Sequence, residues 1–258
     1  MRRGVRWLWV AVGMLVVGFA PARSLQELQD CMRANLPSQS LVQEVRLVAH
    51  DRSGARELQA HVYGMKLDQE VAVMLRILAP SDMSGSRYLV ISGPERDAMY
   101  LYLPALNRTR RIGGSMAGQS LWGTDFSYED VKLLRGLLTH GSAQLEAEVE
   151  WQQRPAQRVR IRPSSEESSQ YQQVDLTVDD ATCVIVHGDF ADAAGPVKEL
   201  RVAQADDLQE VGGQWWARRV ELHSLREQTH SELYIQDYRM DPDLRSGLFD
   251  PRSFQRGR

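Results

Sequence analysis

The chain has 258 residues, a formal net charge of −3 at pH 7, and a composition with 25% charged and 43% hydrophobic residues. These values are ordinary for a globular protein. The slightly negative charge argues against nucleic acid as a partner, because nucleic acid selects basic surfaces. The length suits one large all-β domain or two small ones.

The N-terminus has the three parts of a secretory signal peptide. Three arginines lie within residues 2–6, residues 7–19 form an apolar run, and Ala20-Pro21-Ala22 supplies small residues for cleavage. The apolar run is shorter than the roughly 20 residues that span a bilayer, which disfavours an uncleaved membrane anchor. We therefore predict that residues 1–22 are a signal peptide, cleaved after Ala22. No long linker divides residues 23–258, which we predict to be a single exported domain.

The first predicted element of the mature chain is an amphipathic helix from Ser24 to Leu36. Ser24 followed by Glu27 is a capping box, apolar residues recur at helical spacing, and Pro37 ends the helix. The period then changes to two, and turn residues separate short apolar runs. These runs predict antiparallel strands at residues 42–49, 56–65, 70–79, 87–92 and 98–103.

The middle of the chain departs from this rhythm. Residues 104–126 contain a proline, four glycines and several large apolar side chains. Ser127 with Asp130 predicts a second capping box and a short helix to about residue 138. The tail at residues 246–251 is predicted to fold back on the sheet. Between them, strands are predicted at residues 143–151, 158–162, 171–178, 184–190, 197–205, 215–223 and 229–238.

Together the elements predict a mainly-β fold of about ten or more antiparallel strands, with an N-terminal and a central helix. A sheet of that size must curl, and its concave face needs a cover. Two helices lying across that face would enclose either a packed core or a cavity.

A glycine-rich stretch at residues 113–120 has the outline of a phosphate-binding loop. Gln119 stands where such a loop needs a lysine, and the residues after it are aromatic and broken by glycine, so they do not begin a helix. The sequence therefore predicts neither nucleotide binding nor any cofactor.

Catalytic motifs are equally weak. The chain has neither a Gly-x-Ser-x-Gly elbow nor a His-Glu-x-x-His motif, and its six histidines are scattered. His223 and His230 could approach each other across a hairpin, and His187-Gly188-Asp189 is a thin candidate for a metal or a base. Solvent-facing strand histidines are the simpler interpretation, so we predict no enzyme activity and no metal.

The chain has two cysteines, Cys31 and Cys183. In an oxidising compartment an even pair can form a bridge, which would hold the N-terminal helix against a late strand. Two separate buried thiols are the alternative, and the sequence does not decide between them.

Several strands are apolar on both faces, which requires two covers, or one cover and an apolar ligand. A fully buried central strand explains some of these positions without a ligand. We predict an apolar binding cavity lined by Val45, Leu47, Val62, Val73, Leu75, Ile77, Leu89, Ile91, Met99, Leu101 and Leu103.

The glycine-rich segment is predicted to be a mobile flap over this cavity. Large apolar side chains on a flexible segment suggest a binding lip, and a loop residue should contribute little to the main core. The predicted flap residues are Met116, Leu121, Trp122 and Phe126. The base of the flap is flanked by Arg110, Arg111, Asp125 and Asp130, which either pair across it or are solvated.

Two segments resemble a known family: residues 99–112, Met-Tyr-Leu-Tyr-Leu-Pro-Ala-Leu-Asn-Arg-Thr-Arg-Arg-Ile, and residues 123–130, Gly-Thr-Asp-Phe-Ser-Tyr-Glu-Asp. They are similar to outer-membrane lipoprotein-sorting proteins, periplasmic relatives of the LolA and LolB carriers. Residues 238–244 and Leu248-Phe249 also fit the ending of that family. The resemblance implies a half-open antiparallel β-barrel closed by helices, with an apolar cavity for acyl chains.

The resemblance also implies a function. It predicts a periplasmic carrier of lipoprotein acyl chains or other envelope lipids toward the outer membrane, with transient membrane contact and an inner-membrane transporter as partner. The alternative is a non-catalytic accessory subunit of an envelope transporter of the resistance-nodulation-division class, with a filled core.

Overall fold

The structure is a computed structural model that describes residues 23–36, 38–93, 97–113, 116–134, 141–164 and 169–256; for residues 132–134 it describes the backbone alone. The predicted signal peptide, residues 1–22, and the end of the predicted central helix, residues 135–138, lie outside these ranges. Within the described residues, no helix is long and apolar enough to cross a membrane.

The described residues form fifteen strands and two α-helices. The helices are α1 (Leu25–Ala34) and α2 (Tyr128–Leu134). The strands are β1 (Ser40–Asp51), β2 (Gly54–Leu67), β3 (Glu70–Ala79), β4 (Arg87–Ser92), β5 (Asp97–Leu103), β6 (Arg108–Ile112), β7 (Ser142–Trp151), β8 (Arg154–Arg162), β9 (Gln173–Asp179), β10 (Ile185–Asp192), β11 (Gly195–Arg201), β12 (Leu208–Val211), β13 (Gln214–Ala217), β14 (Arg219–Ser224) and β15 (Thr229–Met240).

Thirteen of these strands form one antiparallel sheet in the order β6-β5-β4-β3-β2-β1-β15-β14-β11-β10-β9-β8-β7. The first and the last strand along the chain, β1 and β15, pair at its centre and join the two halves. Within the described residues the outer strands β6 and β7 do not pair with each other, so the sheet is open. The predicted mainly-β, half-open antiparallel fold is confirmed.

The strand predicted at residues 215–223 is divided in two. Arg218 separates β13 from β14, and β13 pairs with β12 in a separate two-stranded sheet. The turn between β12 and β13 is Gly212-Gly213, with φ of +59° and +84°. Glycine adopts these left-handed angles without strain, which favours the tight hairpin.

The N-terminal helix is capped at its first turn and is attached to the turn between β9 and β10 just after its last. The hydroxyl of Ser24 accepts a hydrogen bond from the backbone N–H of Glu27 (3.3 Å), and the Glu27 carboxylate accepts one from the Ser24 N–H (2.7 Å), so the capping box is confirmed. Asn35, after the last turn, donates to the carbonyl of Thr182 (2.7 Å). Leu28 is fully buried in the main core.

A disulfide joins Cys31 of α1 to Cys183, 152 residues further along the chain. Cys183 lies in the turn between β9 and β10, directly before the strand predicted at residues 184–190. Beside the bridge, Arg23 donates to the carbonyl of Asp180 (2.6 Å). The structure therefore contains the bridge and not the two separate thiols.

Candidate binding site on the concave face

The concave face of the sheet has a continuous apolar surface. Val45, Leu47, Val62, Val73, Leu75, Ile77 and Leu101 lie together in the main buried cluster, and Met99 and Leu103 are half-buried against it. Strands from the other half of the sheet complete the surface. Their contributions are Val159, Ile161, Val174, Leu176, Val178, Phe190, Leu200 and Leu222.

Two of the predicted cavity residues, Leu89 and Ile91, lie on the opposite face, so their assignment was wrong. Successive side chains of a strand point to opposite faces, and in β4 Tyr88 and Val90 enter the concave cluster instead. Leu89 is fully buried, and Ile91 half-buried, under the C-terminal segment. That segment folds back on the sheet, as predicted, through Leu248, Phe249 and Phe254.

Residues 116–131, which we name the plug, cover the concave face. Leu121, Trp122 and Phe126 are 1%, 8% and 2% exposed and belong to the main core, together with Ala117 and Tyr128. The expectation that these large side chains form a surface lip is therefore corrected. Burying apolar surface stabilises the fold by about 25 cal/mol per Å². The plug side chains gain this stabilisation by packing against the apolar concave face.

The turn at Trp122-Gly123 is held from the sheet. Both residues have positive φ, +52° and +74°. The guanidinium of Arg56, on β2, donates to the carbonyl oxygens of Trp122 (3.2 Å) and Gly123 (2.5 Å). Arg56 satisfies two carbonyl groups that no helix or strand pairs.

Asp125 attaches the plug to β15. Its carboxylate accepts hydrogen bonds from the hydroxyls of Thr229 and Ser231, the second at 2.6 Å, and its backbone N–H donates to the Ser231 oxygen (2.9 Å). Ser231 is fully buried on the concave face of the central strand.

Asp130 attaches the plug to the other half of the sheet. Its side chain is 1% exposed and accepts hydrogen bonds from Lys198 Nζ (2.6 Å), the Tyr171 hydroxyl (2.6 Å) and the Ser127 backbone N–H (2.7 Å). Ser127 accepts in turn from the Asp130 N–H (3.1 Å), which confirms the second capping box. Burial raises the pKa of the Tyr171 phenol well above its ordinary value, and the Asp130 carboxylate adds to the shift.

Of the two alternatives for the charges at the base of this segment, ion pairs across it are not formed among the described residues. Arg110 and Arg111 are exposed on the edge strand β6 and make no ion pair with Asp125 or Asp130 within the described residues. Both aspartates instead turn inward to partners on distant strands. Glu129 also turns inward, accepting from the Ser169 hydroxyl and from the Gln170 backbone N–H (3.0 Å) in the segment before β9.

Sequence reasoning missed the partners that hold the plug: Arg56, Tyr171, Lys198, Thr229 and Ser231. Alternation along β2, β11 and β15 could have placed Arg56, Lys198, Thr229 and Ser231 on the concave face. Tyr171 precedes β9 and lies outside that pattern. Two surface grooves, of about 610 and about 530 Å³, are lined mainly by polar residues and include none of the predicted cavity residues. The apolar face is thus occupied by the plug in this structure.

His223 and His230, which the sequence singled out as a pair, lie away from this site. His223 and His230 face each other across the β14–β15 hairpin, as the sequence suggested, with ring centroids 5.3 Å apart. They point to the outer face, since Leu222 and Ser231 beside them enter the concave side.

Solved structures with the same architecture define the class of this fold. A DUF1329 family protein from Desulfovibrio piger has a TM-score of 0.80 at 22% identity, with 87% of this chain and 95% of that chain covered. An outer membrane lipoprotein-sorting protein domain from Vibrio parahaemolyticus has a TM-score of 0.80 at 18% identity, covering 89% and 97%. A LolA superfamily protein from Nitrosomonas europaea has a TM-score of 0.69 at 16% identity, covering 89% and 98%.

The chain therefore has the LolA-like fold, and the resemblance seen in its sequence is confirmed at that level. A family model described as "Uncharacterized protein" matches residues 69–256, well over half of the chain, so the chain belongs to that family. No curated protein matches the chain.

Proposed function

We propose that the protein is a non-enzymatic periplasmic carrier that receives acyl chains of lipoproteins or other envelope lipids on its concave face. The observation that carries this proposal is the plug. An apolar surface spanning most of the sheet is covered by a segment whose contacts with the sheet are made by side chains, at Arg56, Asp125 and Asp130.

Displacing the plug would expose a surface of the right chemistry for acyl chains. Within the plug only one isolated β-bridge forms, between Ser120 and Ser127, and neither belongs to the large sheet. A segment that is joined to the rest of the protein by few backbone hydrogen bonds opens more readily than a strand within a sheet. Acyl chains on the concave face would replace the contacts of Leu121, Trp122 and Phe126, which offsets the loss of plug packing.

The edge strand β6, which leads into the plug, supports a transient membrane contact. Arg108, Arg110 and Arg111 are exposed on it. Each arginine near an anionic lipid surface contributes on the order of 1 kcal/mol of attraction. Delivery to or from a membrane, with an inner-membrane transporter as donor, fits this arrangement.

The experiment is a cross-link that prevents the plug from moving. Asp125→Cys with Ser231→Cys joins the plug to β15 at a point where the two native side chains are hydrogen-bonded. Binding of a dansyl-labelled fatty acid and of a diacylated lipopeptide is measured for the cross-linked protein and for each single cysteine variant. The carrier proposal expects binding by the single variants and a loss of at least about tenfold in the cross-linked protein.

Equal binding by cross-linked and uncross-linked protein would show that cargo does not enter beneath the plug. No binding by any form, including the wild type, would favour the second candidate, an accessory subunit of an envelope transporter. The observation favouring that candidate is the full burial of the plug side chains, which already fill the concave face. Native mass spectrometry of protein extracted from its own periplasm separates the two, because only a carrier retains lipid.

A further inference from the structure

Histidine and carboxylate side chains form a row across the outer face of the sheet. Neighbouring members are directly opposite each other on adjacent strands, and residues opposite each other share a face. The row crosses β10, β11, β14, β15 and β1 and consists of Asp189, Glu199, His223, His230 and His50.

At one end of this row three side chains converge. His187 lies two residues before Asp189 on β10, on the same face. Its Nε2 lies 2.9 Å from Oε1 of Glu199, and its Nδ1 lies 3.8 Å from Oδ2 of Asp189. One imidazole nitrogen and one oxygen of each carboxylate lie within 4.8 Å of one another.

We propose that His187, Asp189 and Glu199 form a binding site for a divalent transition-metal cation of the Zn²⁺ type. Imidazole nitrogen and carboxylate oxygen are ligands of Zn²⁺, at about 2.0–2.2 Å. Two ligands at that distance and about 90–110° apart are about 2.9–3.5 Å from each other, which is the range of the His187–Glu199 separation. Asp189 lies beside Nδ1 and its side chain is 52% exposed, so it joins a cation held by Nε2 and Glu199 by rotating toward Nε2, with water as a fourth ligand.

Arg201 competes with the cation for Glu199. Its Nε and Nη2 atoms donate to the two oxygens of the Glu199 carboxylate, both at 2.6 Å. The side chain of Arg201 is 48% exposed, so it can swing away when a cation arrives. This competition predicts that removing Arg201 strengthens cation binding.

The other histidines of the row are a natural control. His50 and His230 stack with ring centroids 4.4 Å apart and an interplanar angle of 6°, and His223 stacks on the other side of His230 at 15°. Parallel rings do not direct their nitrogens toward one point between them. His50 and His223 contact instead the carboxylates of Glu232 (3.5 Å) and Glu221 (3.2 Å).

The test is calorimetric titration of ZnCl₂ into untagged protein that has been treated with EDTA and desalted. We expect one Zn²⁺ per chain in the wild type. His187→Gln, Asp189→Asn and Glu199→Gln should each weaken binding by at least about tenfold, the loss that even outer-shell changes produce. Arg201→Met should tighten it, and His230→Gln should leave it unchanged.

Electron paramagnetic resonance of the Cu²⁺ complex gives an independent reading, because a single coordinated imidazole nitrogen is expected. Thermal melts of each apo variant separate lost ligands from lost folding. The proposal is overturned if the wild type binds no Zn²⁺, if Arg201→Met does not strengthen binding, or if His230→Gln abolishes it. Coupling to two or more imidazoles would assign the cation to the stacked histidines instead, and equally overturns it.

Discussion

Lys198 and Asp130, 68 residues apart in the sequence, form a buried ion pair with Nζ 2.6 Å from Oδ2. The pair connects the plug to β11, in the half of the sheet that follows the plug in the chain. The Asp130 carboxylate is 1% exposed and the Lys198 side chain 13% exposed, so water screens the interaction little. The ion pair between Lys198 and Asp130 therefore contributes to how firmly the plug is held on the sheet.

Lys198→Met should lower the free energy of unfolding by about 3 kcal/mol, because removing one partner leaves a buried charge uncompensated. Urea unfolding at neutral pH measures the loss. The double variant Lys198→Met with Asp130→Asn removes both charges and should recover part of it. If Lys198→Met unfolds at the same urea concentration as the wild type, the pair does not hold the plug.

The disulfide should contribute to stability through the length of the loop that it closes. Cys31 and Cys183 are 152 residues apart, for which the chain-entropy model gives about 5 kcal/mol. Cys31→Ser with Cys183→Ser should lose most of this while α1 keeps its other attachments, such as Asn35 to Thr182. Thiol labelling of the denatured, unreduced wild type should detect no free thiol, and two labelled thiols would contradict the bridge.

Asp179 predicts how stability depends on pH near this bridge. Burial raises the pKa of its carboxyl, but hydrogen bonds from Arg154 (2.6 and 2.9 Å) and from the N–H and hydroxyl of Thr182 (2.9 and 2.8 Å) outweigh it, so the pKa lies below its ordinary value. A lowered folded pKa stabilises the fold above the unfolded pKa of about 3.9. That stability is lost as the pH falls through the folded pKa.

Asp179→Asn tests this assignment, because asparagine keeps the shape and does not titrate. We expect a loss of about 2 kcal/mol at pH 6, typical of hydrogen bonds to a charged group. The difference from the wild type should shrink as the pH falls below 3.9. Urea unfolding at pH 6, 4 and 3 measures it, and a constant difference over this range would contradict the assigned pKa direction.

What the sequence predicts well here depends on neighbours in the chain. The capping boxes Ser24–Glu27 and Ser127–Asp130 form between residues three apart, so spacing alone reveals them. The regular strands and tight turns likewise predict an open antiparallel sheet. In β4, however, Leu89 and Val90 are both apolar, and alternation says that they face opposite sides without saying which side is concave.

The contacts of the plug could not be predicted in the same way. Asp125 meets Ser231 106 residues away, and Asp130 meets Lys198 of β11 68 residues away. Neither partner carries a local signal, because a lysine or serine on a strand is equally compatible with solvent. Arg110 and Arg111 lie close to Asp125 and Asp130 in the sequence and therefore suggested ion pairs. The fold places both arginines on the exposed edge strand β6 instead.

Trp122 gives the sharpest contrast between a loop residue in sequence and a core residue in structure. As a residue of the predicted flap it should contribute little to the core, but its side chain is 8% exposed within the main core. Trp122→Ser should lower the free energy of unfolding by about 3–5 kcal/mol, the usual cost of truncating a large buried aromatic residue. Trp122→Phe is the matched control. The indole Nε1 is buried without a hydrogen-bond partner among the described residues, so its removal breaks no bond, and the phenyl ring keeps most of the contacts.

The two variants also separate packing from cargo handling. Trp122→Phe should lose less than half as much stability as Trp122→Ser, since loss scales with the volume left empty. If cargo displaces the plug, loosening it favours the open state, so Trp122→Ser should take up a dansyl-labelled fatty acid faster than the wild type. Urea unfolding and stopped-flow fluorescence measure the two effects on the same proteins. Unchanged stability in Trp122→Ser would return the residue to the surface lip that the sequence suggested. Lost stability without faster uptake would leave the plug as a fixed part of the core.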